Sequence, residues 1–325
     1  MLLQSKKLLY KTMSNSITKK YYSAVGMCVC NADQYIQEML CHNYLSGFDR
    51  IIVCLDRCTD DTYNAIERLA PEVREVVDVI NNYGYHPGIG YQQRAYMKMY
   101  EFYKGRVEWL AFFDDDEYLY DSHMRPVNDM LRAVDRPGVD QVVVPWLVYG
   151  HNNQIMTAPR TETRLKWFTK RKTSDGWSTV KPIVRVDQIK VDGRTDGGSR
   201  PCETVKWYYS HAAEVYGKTV NFAGQEVALG GAFDRMALQE AFIDNNNVAL
   251  CHYLYGSMED FAKRHKKWKV ERDIIEEGAR LQGRETVKYG WKADEWIVSD
   301  DERYIVDERM IPYAEQLAEL LSKCK

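Results

Sequence analysis

The chain has 325 residues, 45% hydrophobic and 12% aromatic, which is enough for one large or two ordinary folded domains and too apolar for a disordered chain. Its 44 basic and 47 acidic side chains leave a net charge of −3, which argues against a dedicated nucleic-acid binder with its basic excess. None of the 8 cysteines forms a CxxC set with zinc spacing, and no stretch has a signal peptide's make-up or the roughly 20 apolar residues of a membrane span, so the expectation is a soluble, cytoplasmic protein with reduced thiols.

Residues 1–22 read as a basic N-terminal lead with the composition of a mobile segment. SAVGMCVC (Ser23–Cys30) is an apolar strand; Asn31 with Gln34 three residues on is an N-cap pattern, and Tyr35, Ile36, Met39, Leu40 and Tyr44 then repeat at helical spacing until Gly47. RIIVCLD (Arg50–Asp56) is a second buried strand, Thr59, Asp60 and Asp61 open a second helix with Ile66 and Leu69 inward, and Val73–Val79 is a third strand. Tyr91–Tyr103 is a third helix ended by Gly105, and Trp109–Phe113 a fourth strand. VDQVVVPWLVYG (139–150) is another strong strand, KPIVRV and VKWYYSH are shorter ones, Glu259–Arg280 is a long charged helix and Pro312–Lys323 a final one. Strands alternating with helices over short connections predict an α/β fold: a mostly parallel central sheet with helices on both faces and a C-terminal helical extension. The expected division is residues 23–265 as one catalytic unit (23–120 and 121–265 its halves) and 266–325 as the extension.

The fourth strand runs straight into acids: WLAFFDDDEYLY (109–120) sets four carboxylates between apolar flanks. Crowded like charges repel and are costly to desolvate. In sheets of this kind ligands bind outside the carboxyl ends of the strands, where both Asp56 and Asp114–Glu117 fall. If the strand alternation continues, Asp114 and Asp116 share a face, with Asp115 and Glu117 opposite. Two carboxylates on one face can hold a hard cation such as Mg²⁺ or Mn²⁺, whose charge lowers both pKa values. An exposed acidic turn is the bland alternative, which the flanking strand and YLY make hard to arrange.

Six segments in order resemble the A-type-fold nucleotide-sugar glycosyltransferases, family 2 and the related family 92: VCNADQYIQEMLCHNYLSGFDRIIVCLDRCTDDT, YQQRAYMKMY, WLAFFDDDEYLY, WLVYGHNN, VKPIVR and CHYLYGSMEDFAKR, together spanning about residues 25 to 265. Three positions depart from the pattern. Tyr118 replaces a Phe, Tyr255 or Gly256 stands where a basic residue is common, and Asn152 and Asn153 replace a Gly in the acceptor-side loop.

The resemblance implies that Asp114 and Asp116 hold Mn²⁺ or Mg²⁺ on the diphosphate of a nucleotide sugar, with His252 as third ligand and Asp56 accepting a hydrogen bond from the nucleobase. Gln93 and Arg94 are expected to reach the nucleotide and Lys263 the diphosphate, although an exposed basic helix face explains the run Lys263–Lys269 equally well. Asp60 is explained by helix capping alone. An inverting transfer needs a general base. Asp196, Asp192 and Glu203, in the Gly-rich VDGRTDGGSRPCE, are candidates, Asp196 first. His211 would orient an acceptor, and Trp146 and Trp177 would stack on sugar faces, with core packing the plainer role.

The expected protein is a metal-dependent glycosyltransferase that moves a sugar from a nucleotide-diphosphate donor to a glycan or glycoconjugate hydroxyl, with no nucleic-acid partner and no membrane anchor. The alternatives are a nucleotidyltransferase, for which CVCNADQ lacks the Gly-rich basic loop, and a catalytically silent sugar-binding module.

Overall fold

The computed structural model describes residues 21–82, 91–173, 178–195, 201–208, 211–228, 235–236, 247–261, 263 and 304–324. The order of elements is β1 (Tyr21–Val29), α1 (Ile36–Leu45), β2 (Arg50–Leu55), α2 (Thr62–Glu67), α3 (Pro71–Val76), β3 (Val77–Asn81), α4 (Tyr91–Tyr103), β4 (Val107–Phe112), β5 (Glu117–Asp121), α5 (Val127–Val134) and β6 (Val139–Val148). There follow α6 (Arg164–Trp167), β7 (Lys170–Lys172), β8 (Ser178–Arg185), β9 (Val191–Thr195), β10 (Pro201–Val205), β11 (Trp207–Tyr208), β12 (Ala212–Ala213) and β13 (Lys218–Val220). The last are β14 (Arg235–Met236), β15 (Val248–His252), β16 (Tyr304–Val306) and a C-terminal helix, α7 (Ile311–Leu321).

The central sheet runs β3-β2-β1-β4-β8-β6-β15-β5, with β13 beside β6 and β14 beside β8. Its first four strands are parallel, as the strand–helix alternation predicts. Beyond them β8 lies antiparallel to both β4 and β6, β15 is parallel to β6, and β5 closes the order antiparallel to β15. Strand order reverses around β1, whose neighbours β2 and β4 come from opposite sides of the connectivity; a crevice at the carboxyl ends is the consequence.

Helices cover both faces. Val25, Met27 and Val29 of β1 face one core with Met39 and Leu40 of α1, Leu131 of α5 and Leu317 of α7. Ala24, with Ile52, Leu110 and Phe112, faces a second core made with Ala95, Tyr96, Met99 and Tyr103 of α4. The alternation along β1 is the period of two that sorts side chains between faces. Gly26 lies under α4: a Cβ there would come within 2.6 Å of Met99 Sδ, so glycine is what lets helix and sheet approach. Residues 304–324 join this architecture. β16 pairs with β7, Asp307 and Arg171 form a buried ion pair, and the Tyr313 hydroxyl accepts from the Asp121 amide and donates to the Asp121 carbonyl, both at 2.9 Å.

Three local expectations are corrected. The segment from Val73 does not open a strand. Pro71 starts helix α3, where its fixed φ suits the first turn and its missing N–H costs nothing, and the strand begins at Val77. Asn31 does not cap α1, which starts at Ile36 behind Tyr35. Asn31 takes a left-handed φ of 54° and its Oδ1 accepts from the amides of Thr59 (2.7 Å) and Asp60 (3.3 Å), fastening the end of β1 to the loop after β2. Asp60 does not cap α2, whose N-cap position is Asp61; its Oδ1 accepts from the Thr62 amide at 3.1 Å, an Asx turn just ahead of the helix. The helix expected over Glu259–Arg280 lies largely outside the described residues.

His42 of α1 carries a stability prediction. Its ring is fully buried between Tyr118 and Tyr313, and Nε2 donates to the Leu119 carbonyl at 3.0 Å. Burial brings its pKa down from 6.5 to about 4. Between those values the unfolded chain binds the extra proton and the folded chain does not. Stability is therefore full above pH 6.5 and lost as the pH falls toward 4, by about 3 kcal/mol at the limit from this one group. Urea midpoints measured from pH 7 to pH 4 should fall, and His42→Gln should flatten that fall; an unchanged slope in the variant would remove His42 from the account.

Candidate functional site

Both acid positions lie at the carboxyl ends of β2 and β4. β4 stops at Phe112, and residues 113–116 turn into β5, which starts at Glu117. Strand alternation therefore does not carry through the acids. Instead the turn folds on itself: the Glu117 amide donates to the Asp114 carbonyl (3.2 Å) and the Asp114 amide to Glu117 Oε2 (2.9 Å). Asp114 and Glu117, expected on opposite faces, consequently share one environment. The reason is that DDDE forms a tight turn, which a period-two reading of a strand does not describe.

The cation in that environment is Lys181, which is only 1% exposed. β8 runs antiparallel to β4 with Ala111 opposite Ile183, so Lys181, two residues before Ile183, reaches the level of the acid turn. Its Nζ lies 2.8 Å from Asp114 Oδ2 and 3.6 Å from Glu117 Oε1. The other Asp114 oxygen accepts from Gln92 Nε2 (2.5 Å) and from the Tyr96 hydroxyl (3.2 Å), one helical turn apart on α4. Burial opposes ionisation of Asp114, but the adjacent Lys181 ammonium outweighs it and holds the carboxyl below its ordinary range. Burial drives Glu117 the other way, well above the usual carboxylate range, despite the same lysine. Lys181 itself loses by burial and gains more from Asp114 and Glu117, so its ammonium is held.

Asp116 and His252 make a second pair. β15 lies against β5 with His252 opposite Glu117, and the Tyr253 amide donates to the Asp116 carbonyl at 2.9 Å. His252 Nε2 is 3.2 Å from Asp116 Oδ1, and both residues are buried. Trp146 packs across this pair: its ring centroid is 4.2 Å from that of His252, 5.2 Å from His211, and 5.8 Å from Lys181 Nζ. Trp146 thus joins β6 to the site. His211, half-buried and beside Lys181, has its pKa lowered to about 4 by desolvation and by that ammonium.

These positions test the donor set expected for a divalent ion. Asp116 Oδ1 and His252 Nε2 are spaced close to the ~3 Å edge of an octahedral shell with ligands at about 2.1 Å, and carboxylate with imidazole is a donor pair Mn²⁺ accepts. Asp114 does not converge on them, because Lys181, Gln92 and Tyr96 engage its two oxygens. Among the described residues no three His, Cys, Asp or Glu side chains are gathered closely enough to hold a metal. Two of the three expected ligands therefore fit as they stand, and the third is held by a protein cation.

On the other side of β1, Asp56 directly follows β2 and is 1% exposed. Arg57, in the left-handed region at φ 51°, folds back to it with Nη2–Oδ2 at 2.7 Å. Asn82 Nδ2 donates to Asp56 Oδ1 (3.1 Å) and to the Tyr91 carbonyl (2.9 Å). Both partners accept here, so the amide orientation is fixed, and buried Asn82 Oδ1 has no partner among the described residues.

The remaining expected residues fall as follows. Gln93 and Arg94 are half-buried in the first turn of α4, whereas the neighbouring Gln92 is the one that touches the acid turn. Lys263 is exposed and paired with Glu259 at 2.8 Å. Asp192 and Glu203 lie on the paired strands β9 and β10, opposite Thr204 and Gly193. Asp196 and Trp177 lie outside the described residues. Asn152 and Asn153, which replace a Gly, both take left-handed φ of 52° and 58°, the conformation in which Asn best substitutes for glycine. Gly256 also has positive φ (59°), and a Cβ there would meet Asp260 Cβ at 2.9 Å. Asp260 and Ser257 cap each other, Oγ accepting from the Asp260 amide and Oδ2 from the Ser257 amide, both at 3.0 Å. The missing basic residue at 256 is thus dictated by a capping box.

Sequence reasoning missed Lys181, Gln92 and Tyr96 as site residues. A lysine amid the apolar run TVKPIV is a signal for a buried, paired cation, and Gln92 and Tyr96 share a helical face at i and i+4.

Among the described residues no helix is long and apolar enough to cross a membrane. No curated protein matches the chain. Among solved structures, Staphylococcus aureus TarS 1–349 in complex with UDP-GlcNAc is 17% identical at a TM-score of 0.30, over 51% of this chain and 45% of that one. The mannosyltransferase PcManGT from Pyrobaculum calidifontis, in complex with GDP-Man and Mn²⁺, is 17% identical at a TM-score of 0.31, over 52% and 46%. The aligned part is thus under half the length of either structure. A family model, Glycosyl transferase family 2, matches residues 24–185, from β1 through the acid turn to the strand bearing Lys181. The chain belongs to glycosyl transferase family 2 through that domain.

Proposed function

We propose that this protein is a metal-dependent glycosyltransferase using a nucleotide-diphosphate sugar as donor and a glycan or glycoconjugate hydroxyl as acceptor, with inversion at the anomeric carbon. The observation that carries this reading is the acid turn itself: Asp114, Asp116 and Glu117 are crowded at the switch point of a family 2 domain with Lys181 as the contacting cation. Such crowding costs folding energy and is explained if the surplus negative charge receives a cation and a substrate.

In this reading Asp116 and His252 would hold Mn²⁺ or Mg²⁺, with Asp114, now paired with Lys181, as the third ligand. When bound, the metal neutralises charge on the departing nucleoside diphosphate. Asp56, at the far side of β1, accepts from the nucleobase, and Gln93 and Arg94 on α4 flank the nucleotide. Lys263 contributes to the diphosphate only by giving up Glu259. In the transfer, the acceptor oxygen forms a bond to the anomeric carbon and the bond from that carbon to the diphosphate oxygen breaks. The hydroxyl proton goes to a carboxylate from the β9–β10 segment, with Asp196 ranked first, then Asp192 and Glu203. Trp146 gives the site an aromatic wall suited to a sugar face.

The test is a thermal-shift screen of UDP-, GDP- and dTDP-sugars with Mn²⁺ or with EDTA, followed by incorporation of labelled sugar into glycan acceptors. A donor should raise the melting temperature by mass action, and do so only with metal. If no donor does, or a donor binds equally well in EDTA, the metal-assisted reading is wrong. Donor binding and breakdown with no incorporation into any acceptor would argue against transfer.

A further inference from the structure

Remote from the acid turn, the structure brings two thiols together that are 283 residues apart in sequence: Cys41 Sγ and Cys324 Sγ are 4.0 Å from one another. Cys41 is on α1 and fully buried; Cys324 follows α7 and is half-buried. We propose that Cys41 and Cys324 form a dithiol site which a small-molecule disulfide oxidises to an intramolecular bridge, stapling the C-terminal helix to α1.

The two sulfurs are unequal in the way such a reaction requires. Cys324 is the half-buried, reachable sulfur, and the hydrogen bond it shares with Cys41, set against partial burial, lowers its pKa. That same hydrogen bond, together with burial, pushes the Cys41 thiol up. Cys324 is therefore the attacking sulfur and Cys41 the resolving one. The Cys324 thiolate attacks one sulfur of the small disulfide, forming a mixed disulfide and releasing one small thiolate. Cys41 then loses its proton and attacks Cys324 Sγ, and the second small thiolate leaves. The protein loses two hydrogens and the small disulfide is reduced to two thiols. Excess thiol reverses both steps.

The bridge would act on the fold because of what α7 holds. Its N-terminal turn is anchored by Tyr313 on both backbone groups of Asp121 in β5, and β5 begins at Glu117 of the acid turn. Its far end is held in part by Lys323, which pairs with Glu72 of α3 at 3.3 Å, a surface contact of little strength. A covalent link at Cys324 replaces that weak attachment and closes a very long loop, the case in which a cross-link restricts the unfolded chain most.

The test uses the full chain in a series of glutathione disulfide to glutathione ratios, quenched by alkylation. Peptide mapping should find Cys41 joined to Cys324 at oxidising ratios, with an intact mass lower by two hydrogens. The melting temperature should rise by several degrees and return with dithiothreitol. Cys324→Ser should abolish both the linked peptide and the rise. Cys41→Ala should leave glutathione attached to Cys324, because nothing resolves it. Stable glutathione on Cys324 in the wild-type chain, both thiols still free under oxidation, or an equal rise in Cys324→Ser would overturn the proposal.

Discussion

Replacing Lys181 by methionine should cost about 3–5 kcal/mol of folding stability, the usual loss when one partner of a buried ion pair is removed. Methionine matches the lysine stem in volume, so little of this loss comes from a cavity. The loss comes from Asp114 and Glu117, which stay buried without the ammonium 2.8 and 3.6 Å away. Without Lys181, burial governs Asp114 as it already governs Glu117, and its pKa moves upward instead of down. The sign for pH follows. In the wild type the lowered Asp114 contributes stability above the unfolded carboxylate range, lost as the pH falls through its folded pKa. In the variant that contribution is missing, and acidification should relieve the strain by protonating the pair. Urea midpoints for the two proteins should therefore converge as the pH drops. A divalent ion should also recover more stability in the variant than in the wild type, since it supplies the charge that was removed. A loss below about 1 kcal/mol at neutral pH, or identical pH profiles, would show that Lys181 does not balance the acids.

How far the sequence discloses this site depends on the kind of signal each residue gives. Strands β1, β2 and β4 and helix α4 are legible because their periodicity is strong and their ends carry glycine, acids or caps. The acid run is legible because its composition conflicts with its apolar neighbours. The pairing inside it is not, because a turn of four acids erases the strand period on which a facing argument depends. Lys181 is invisible as a partner for a different reason. Its proximity to Asp114 is created by β8 inserting antiparallel beside β4, a crossing between elements some seventy positions apart that no local pattern encodes. Asn31 fails as a helix cap in the same way: its side chain finds a stronger tertiary use in the amides of Thr59 and Asp60. Gly256 shows the reverse case. A departure from the family pattern that looks functional is required by the backbone of the Ser257–Asp260 capping box.

Asp116→Asn is the change with the largest expected effect on chemistry and the smallest on folding. The amide oxygen can still accept from His252 Nε2 across the 3.2 Å gap, so the contact between β15 and the acid turn survives. One negative charge leaves a cluster in which Asp114 and Glu117 already contend for Lys181, so in the absence of metal the variant should be as stable as the wild type or slightly more so. Transfer should nonetheless fall by about 10²–10³-fold, the scale on which removal of one electrostatic contributor to a transition state is felt. Most of the loss should be in kcat, with a weaker donor and Mn²⁺ affinity by calorimetry. His252→Asn should lose activity as well, and the double variant should lose little beyond the worse single one, because both residues would serve one ion. A residue kept for structure would give the opposite pattern: lower stability, with activity per folded molecule intact. Gain of stability together with loss of metal binding is the signature of acids held against folding for the sake of a ligand, and an Asp116→Asn protein with wild-type turnover and unaltered Mn²⁺ dependence would show that the crowding at this turn serves something else.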